Sequence, residues 1–164
     1  MGTVFRFGDN IDTDVLAPGQ YMAASLDVLA SHCLENVDPD FAASVRSGDI
    51  ILAGRNFGMG SSREQAAQAL KHLGISAIIA QSFGGIFYRN AINLGLPVFT
   101  HPTPIDAAAG DGMNLDVEAA TLTHATTNSV THLEPLPEFL IQLIRDGGLV
   151  PHLEKRFAAK ESSA

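Results

Sequence analysis

Residues 54–67 read Gly54-Arg55-Asn56-Phe57-Gly58-Met59-Gly60-Ser61-Ser62-Arg63-Glu64-Gln65-Ala66-Ala67. The segment follows a short apolar run and opens a helix-like pattern that stops at Gly74. Glycines let a backbone come close to a ligand. The first N–H groups of a helix have no partner within it, and the helix dipole favours an anion there. Ser61 and Glu64 match the S-x-x-E capping box, which predicts a helix starting at Ser61. Arg63 adds a fixed positive charge that can hold a carboxylate through two parallel hydrogen bonds. Together these residues describe a cradle for a carboxylate or phosphate with two hydroxyls inside it. From spacing alone, the alternative is a glycine-rich turn into a capped helix with no ligand.

Other chemistries fit the residues less well. A Walker loop needs Gly-Lys-Ser/Thr, and the chain has Gly60-Ser61-Ser62 without Lys. The dinucleotide fingerprint needs a glycine where Arg63 stands. A serine acting as an acyl-transfer nucleophile wants a histidine partner. Sequence alone does not position His32, His72, His101, His124, His132 or His152 for that role. Asp9, Asp12 and Asp14 suggest calcium, but an EF-hand counted from Asn10 needs Gly and Glu where Val15 and Tyr21 stand. Asx turns, in which these side chains bond nearby backbone, are the plainer expectation.

Elements on either side must hold the cradle in place. Asp49–Ala53 reads as a buried strand, 61–74 as a helix, Ile75–Ala80 as a second strand, 83–93 as a second helix and Leu96–Phe99 as a third strand. That alternation indicates βαβ units and a parallel core. Upstream, 8–20 reads as loop, 25–34 as a helix capped by Ser25, and 38–45 as a turn into a short helix. Downstream, 112–133 suggests short antiparallel strands, followed by a helix from Phe139 that ends near Gly147-Gly148 and a basic helical end at 152–157. Ala158–Ala164 reads as a loose polar tail. The fold class is α/β, with a parallel βαβ core and a β-rich C-terminal portion.

With 164 residues the chain fits one domain, and 46% apolar against 17% charged residues excludes a disordered chain. Eighteen acidic and ten basic side chains give a net charge of −8, which argues against a nucleic-acid partner but not against a small anion. Cys33, the single cysteine, cannot form an internal disulfide or hold a cluster or structural zinc alone. Its helical register predicts a buried core thiol. The N-terminus has no secretory pattern, and position 6 is Arg, which breaks a myristoylation signal. No apolar run is long enough for a membrane span. A cytoplasmic protein is expected.

Gly58-Met59-Gly60-Ser61-Ser62-Arg63-Glu64-Gln65-Ala66 resembles the swivel-domain signature of the aconitase superfamily, above all the separate small subunits of 3-isopropylmalate dehydratases. The likeness extends through Gly8–Asp14, Ala80–Phe83, Ile86–Pro97 and Glu134–Pro137, nearly the whole chain. It implies a single swivelling β/β/α domain over residues 1–164. It also implies half of a hydro-lyase: this chain binds no cofactor, while a large subunit, in a heterodimer or heterotetramer, holds a [4Fe–4S] cluster that takes the substrate hydroxyl as a Lewis acid. By resemblance, Ser61 is the base that removes the proton from the neighbouring carbon. Ser62 and Arg63, with Gly60, Thr13 and Asp14, match positions that bind the dicarboxylate or face the cleft.

The resemblance further aligns Gln20-Tyr21-Met22-Ala23-Ala24 with a loop that chooses the substrate. Homoaconitase-like members carry an Arg there for a distal carboxylate; this chain has Ala23. Burying an unpaired carboxylate is costly, so Tyr21, Met22 and Ala23 suit an apolar substituent, as on 3-isopropylmalate in leucine biosynthesis or on 2,3-dimethylmalate. The alternatives are a homoaconitate-type substrate or a non-catalytic anion-binding module. Three departures stand out: Met59 where many relatives have Cys, Gln65 where some have His, and Gly84-Gly85 where aconitase-active members tend to carry an Arg. That glycine pair predicts a loose entry to the second helix.

Overall fold

The computed structural model describes residues 1–162. Seven strands form one sheet in the order β4-β3-β2-β1-β5-β6-β7. The first four, β1 (Gly2–Arg6), β2 (Ile50–Ala53), β3 (Ala77–Ala80) and β4 (Val98–Thr100), run parallel. β5 (Gly112–Asp116), β6 (Thr121–His124) and β7 (Val130–His132) add antiparallel. β2 and β3 are apolar along their length because both faces of a parallel sheet are covered.

One face packs on helices. α4 (Glu64–Leu73) crosses from β2 to β3, and α5 (Gly85–Asn93) from β3 to β4. Ala66, Ala67 and Leu70 of α4 and Phe87, Ala91 and Ile92 of α5 meet Ile51 and Ile78 in one buried cluster. Three short helices complete that layer: α1 (Thr13–Leu16), α2 (Leu26–Ser31) and α3 (Phe41–Ser44). On the other face the sheet curls, so Val4, Ile50 and Ile79 pack against Leu122, Leu133 and Ile141. Ile141 belongs to α6 (Glu138–Arg145), which is followed by α7 (Leu149–Ser162). Cys33 is buried in the helical layer, and burial pushes its thiol pKa up. No helix among the described residues is long and apolar enough to cross a membrane.

The expected βαβ core and β-rich portion are both present, and Ser25 caps α2 through a 3.3 Å bond from the Val28 N–H. Four details differ. The central strand β1 lies in a segment that carries too few residues to show a period. The region read as loop holds α1, capped by Asp12, whose Oδ1 accepts from the Val15 N–H at 2.9 Å. α4 begins at Glu64, three residues later than the capping-box pattern implies. The polar tail is helical as far as Ser162, because Ala158, Ala159, Lys160 and Glu161 are good helix formers whatever their polarity; residues 163–164 lie outside the described residues. α7 is tied to the end of α6 by Asp146, which accepts from His152 Nδ1 at 2.7 Å and Lys155 Nζ at 3.0 Å. These bonds hold the Asp146 carboxyl down, at about 2.

Two glycines have no room for a side chain. At Gly58 (φ 77°) a Cβ would run into the Phe87 ring, and at Gly84 it would lie 2.7 Å from the Gly58 carbonyl oxygen. At Gly85 nothing lies within 4 Å. We expect Gly58→Ala to destabilise the fold by about 2–4 kcal/mol, from overpacking plus the left-handed penalty. Gly84→Ala should cost about 1–3 kcal/mol, while Gly85→Ala should be neutral or stabilising by under about 1 kcal/mol. Urea unfolding midpoints check all three.

Candidate active site

The site grows from the C-terminal ends of the parallel strands, where open α/β sheets place their ligands. Beyond β1, β2 and β3 the backbones keep pairing. The Phe7 N–H donates to the Leu52 carbonyl at 2.9 Å, Gly54 to Gly8 at 3.2 Å and Gln81 to Gly54 at 3.0 Å. Further out, Asp12 bridges Met59 and Phe57 bridges Phe83, both in parallel sense. The glycine loop is therefore threaded between its two neighbours. Phe57 is fully buried and meets Phe87 edge to face at 5.4 Å. Gly84 sits under the Gly58 backbone, so the glycine pair is a tight entry to α5 at its first member and open only at Gly85. The expected looseness fails because the missing side chain is filled by backbone.

Ser61 and Ser62 stand exposed at the crest of this loop. Ser61 does not cap α4. Arg63 occupies the cap position with extended backbone (φ −81°, ψ 104°), and no cap side chain bonds to the helix start. The Arg63 N–H turns back to the Ser61 carbonyl at 2.8 Å. The Arg63 side chain reaches across to α1. There it forms an ion pair with Asp14, and Nη1 donates to the Ala17 carbonyl at 3.0 Å. The freed Ser61 Oγ lies 3.4 Å from Thr13 Oγ1. Thr13 is 3% exposed, so its hydroxyl faces Ser61 from below rather than a ligand from above. Gly60 (φ 107°) permits this closeness, since a Cβ there would come within 3.0 Å of that same oxygen.

In the acidic turn Asp12 bonds nearby backbone, as expected, and caps α1. Asp9 instead reaches across the fold: its Oδ1 accepts from the Arg55 N–H at 2.7 Å. Asp14 is different: its carboxylate meets the arginine. Gln20–Ala24 follows directly; Gly19–Tyr21 is a 3₁₀ turn, Tyr21 and Met22 are half-buried, and Ala23 is exposed. A Cβ on Gly19 would lie 3.8 Å from the Arg63 guanidinium, a proximity that sequence reading missed because neither residue type signals it. Met59, exposed, borders α1 through its bridge to Asp12; Gln65 is half-buried at the start of α4.

Among the described residues no imidazole is bonded to Ser61. His32 pairs with Glu35, His72 with Asp27 and His152 with Asp146, while His101 Nδ1 bonds the Thr103 carbonyl. His124 is 8% exposed; its Nε2 lies 3.0 Å from Asp111, and its Nδ1 accepts from the Thr126 and Thr127 N–H groups. It organises the β6–β7 turn, and the Ala108 N–H and His124 together hold the Asp111 carboxyl below its usual range. His132 lies on the edge strand β7. Among the described residues no group of three or more His, Cys, Asp or Glu could hold a metal ion.

Comparison with known proteins assigns the arrangement. A model of the aconitase C-terminal domain matches residues 13–102, from Thr13 through the glycine loop to the end of β4. The chain belongs to the aconitase C-terminal domain family. Among its relatives is the methanogen homoaconitase small subunit of Methanothermobacter thermautotrophicus, 52% identical over 94% of this chain and 90% of that one. The 3-isopropylmalate dehydratase small subunit 1 of Thermotoga maritima is 47% identical over 94% of each. The 2,3-dimethylmalate dehydratase small subunit of Eubacterium barkeri is 46% identical over 93% of this chain and 94% of that one. The crystal structure of 3-isopropylmalate dehydratase (LeuD) from Methanocaldococcus jannaschii superposes with a TM-score of 0.93, at 40% identity, covering 99% of this chain and 98% of that one.

In this member of the family the Arg63–Asp14 pair lies with Asp14 two-thirds exposed. Exposed pairs contribute little to stability. We expect a double-mutant cycle of Arg63→Gln and Asp14→Asn, read by urea unfolding, to give a coupling under about 1 kcal/mol. A larger coupling would mean that the pair is there to hold the fold rather than to aim the guanidinium.

Proposed function

We propose that this chain is the small subunit of a hydro-lyase of the 3-isopropylmalate dehydratase type, acting in the cytoplasm with a cluster-bearing large subunit. The observation that carries the reading is the exposed pair Ser61-Ser62 at the start of an uncapped helix, with Arg63 aimed by Asp14 beside it. This half-site stands on an open face and needs a second surface to close it. Cys33, buried and alone, does not fit a cluster, so the iron–sulfur group belongs to the partner.

This chain's part is proton removal and carboxylate binding. A serine hydroxyl is a poor base in water. Here Ser61 would act as alkoxide, off the α4 backbone and stabilised by the dipole of α4, the positive charge of Arg63 two residues on and a hydrogen bond from Thr13 Oγ1. It takes the proton from the carbon next to the one that carries the hydroxyl. That electron pair forms the double bond as the hydroxyl leaves on the partner's side. Ser62, the Gly60 backbone and the free edge of Arg63 hold the carboxylates. Asp14 acts through Arg63, and Thr13 through Ser61, rather than by touching substrate.

Residues 19–24 carry no charged side chain, which suits a branched alkyl substituent. A homoaconitate-type substrate is the second reading, favoured by the 52% identical relative. Near this loop its distal carboxylate would find Arg63, already bonded to Asp14 and Ala17, and His32, already paired with Glu35. Reconstituted with a large subunit and followed by the ultraviolet absorbance of the unsaturated diacid, Ser61→Ala should lose at least about 10³-fold in kcat while still assembling. Turnover unchanged by Ser61→Ala would remove the base assignment. Ala23→Arg should move preference toward homoaconitate; a wild-type chain that already takes homoaconitate as well as 3-isopropylmalate would overturn the substrate reading.

A further inference from the structure

The segment Gly19–Ala24 has few bonds of its own. Tyr21 donates to the Pro18 carbonyl at 3.0 Å, Met22 to Gly19 at 3.3 Å and Ala24 to Tyr21 at 3.0 Å, all local. Tyr21 and Met22 pack against the helical core, and two further contacts steady the segment. At its front Arg63 bonds the Ala17 carbonyl just ahead of it, with the guanidinium 3.8 Å from where a Cβ on Gly19 would lie. At its back the Tyr21 ring lies flat on the His32 imidazole, with centroids 3.6 Å apart and planes 6° from parallel.

The His32 ring is itself fixed. Its Nδ1 lies 2.6 Å from Glu35 Oε2, so a carboxylate one turn on sets the plane on which Tyr21 rests. The platform under it is rigid. The next two residues, Cys33 and Leu34, are buried in the helical core, and the Leu34 N–H donates to the Val15 carbonyl of α1 at 3.0 Å. A two-ring stack on a fixed base holds one end of the segment at a set height, and Met22 and Ala23 follow Tyr21 directly.

We propose that His32, oriented by Glu35, is a specificity-positioning residue that acts through Tyr21 to fix the substrate-selecting loop. This rests on the reading of residues 21–23 as the loop that meets the substrate's substituent. The stack holds Met22 and Ala23 at the distance that a branched alkyl group needs. Without it the loop samples other heights, and the enzyme discriminates less between substituents of different size. Chemistry at Ser61, on a separate loop, is untouched.

The test uses the complex reconstituted with a large subunit and three small-subunit variants, His32→Ala, His32→Phe and Glu35→Gln. Two readouts are taken: amide hydrogen exchange at residues 20–24, and kcat/KM for 3-isopropylmalate relative to 2,3-dimethylmalate. His32→Ala should speed exchange there and narrow the kcat/KM ratio by about fivefold, the worth of one aromatic stack, mainly through KM. His32→Phe, which keeps a flat ring, should restore most of the ratio, and Glu35→Gln should fall between. Unchanged exchange in His32→Ala would overturn the clamp. Faster exchange with an unchanged ratio would overturn the specificity role. Because exchange is read without substrate, a complex that turned over neither diacid would count against the proposed function while the clamp was still decided.

Discussion

The site depends on a parallel ladder that does not stop where the strands stop. Past Leu52, Arg6 and Ala80 the three chains keep exchanging backbone hydrogen bonds, through Gly54 to Gly8 and Gln81 to Gly54, and close with the Asp12–Met59 and Phe57–Phe83 bridges. Close packing around this ladder leaves no room for side chains at three glycines: a Cβ at 54 would meet the Asp9 carboxylate, at 58 the Phe87 ring and at 84 the Gly58 backbone. It also explains how a run of small, flexible residues can aim two serines. The loop is stiff because its neighbours hold it, and Phe57 pins it from below.

From that frame the charge arrangement follows. Asp14 and Arg63 come from different loops, and the Asp12–Met59 bridge sets how far apart they stand. Arg63 faces α1, and α4 starts past the serines. A helix capped by Ser61 would have turned that hydroxyl onto its own backbone; a helix starting at Glu64 leaves it free beside Thr13. The same guanidinium lies beside the start of segment 19–24, so the proposed carboxylate binding and the proposed substituent selection would meet at one side chain. Among the described residues Ser61 and Ser62 stand exposed.

Much of the architecture could be read from the residues. The apolar runs at 50–53 and 77–80, the Gly74 stop and the helical period of 64–73 and 85–93 all reflect local constraints that survive folding. β1 was not legible, because its place at the centre of the sheet is decided by partners more than forty residues away at Ile50–Leu52. Ser61-Ser62-Arg63 was legible as a candidate anion site. Its hydrogen bonding was not: S-x-x-E is a local signal, and in the fold Ser61 Oγ meets Thr13, which comes from far along the chain. Thr13 was legible as a member of the site but not as a buried neighbour of Ser61, since burial depends on how α1 folds against the glycine loop. The contacts of His32 and Gly19 leave no trace in the local sequence.

The central claim is that Ser61 reaches the transferable proton while Arg63 holds a carboxylate. A diffraction structure of the small and large subunits together, with an unreactive dicarboxylate analogue bound, tests it most directly. The account predicts Ser61 Oγ at about 3 Å from the carbon that would lose its proton, and a carboxylate on the guanidinium edge not used by Asp14 and Ala17. A bound analogue with Ser61 turned to the α4 backbone and Arg63 engaged only by its own chain would contradict it.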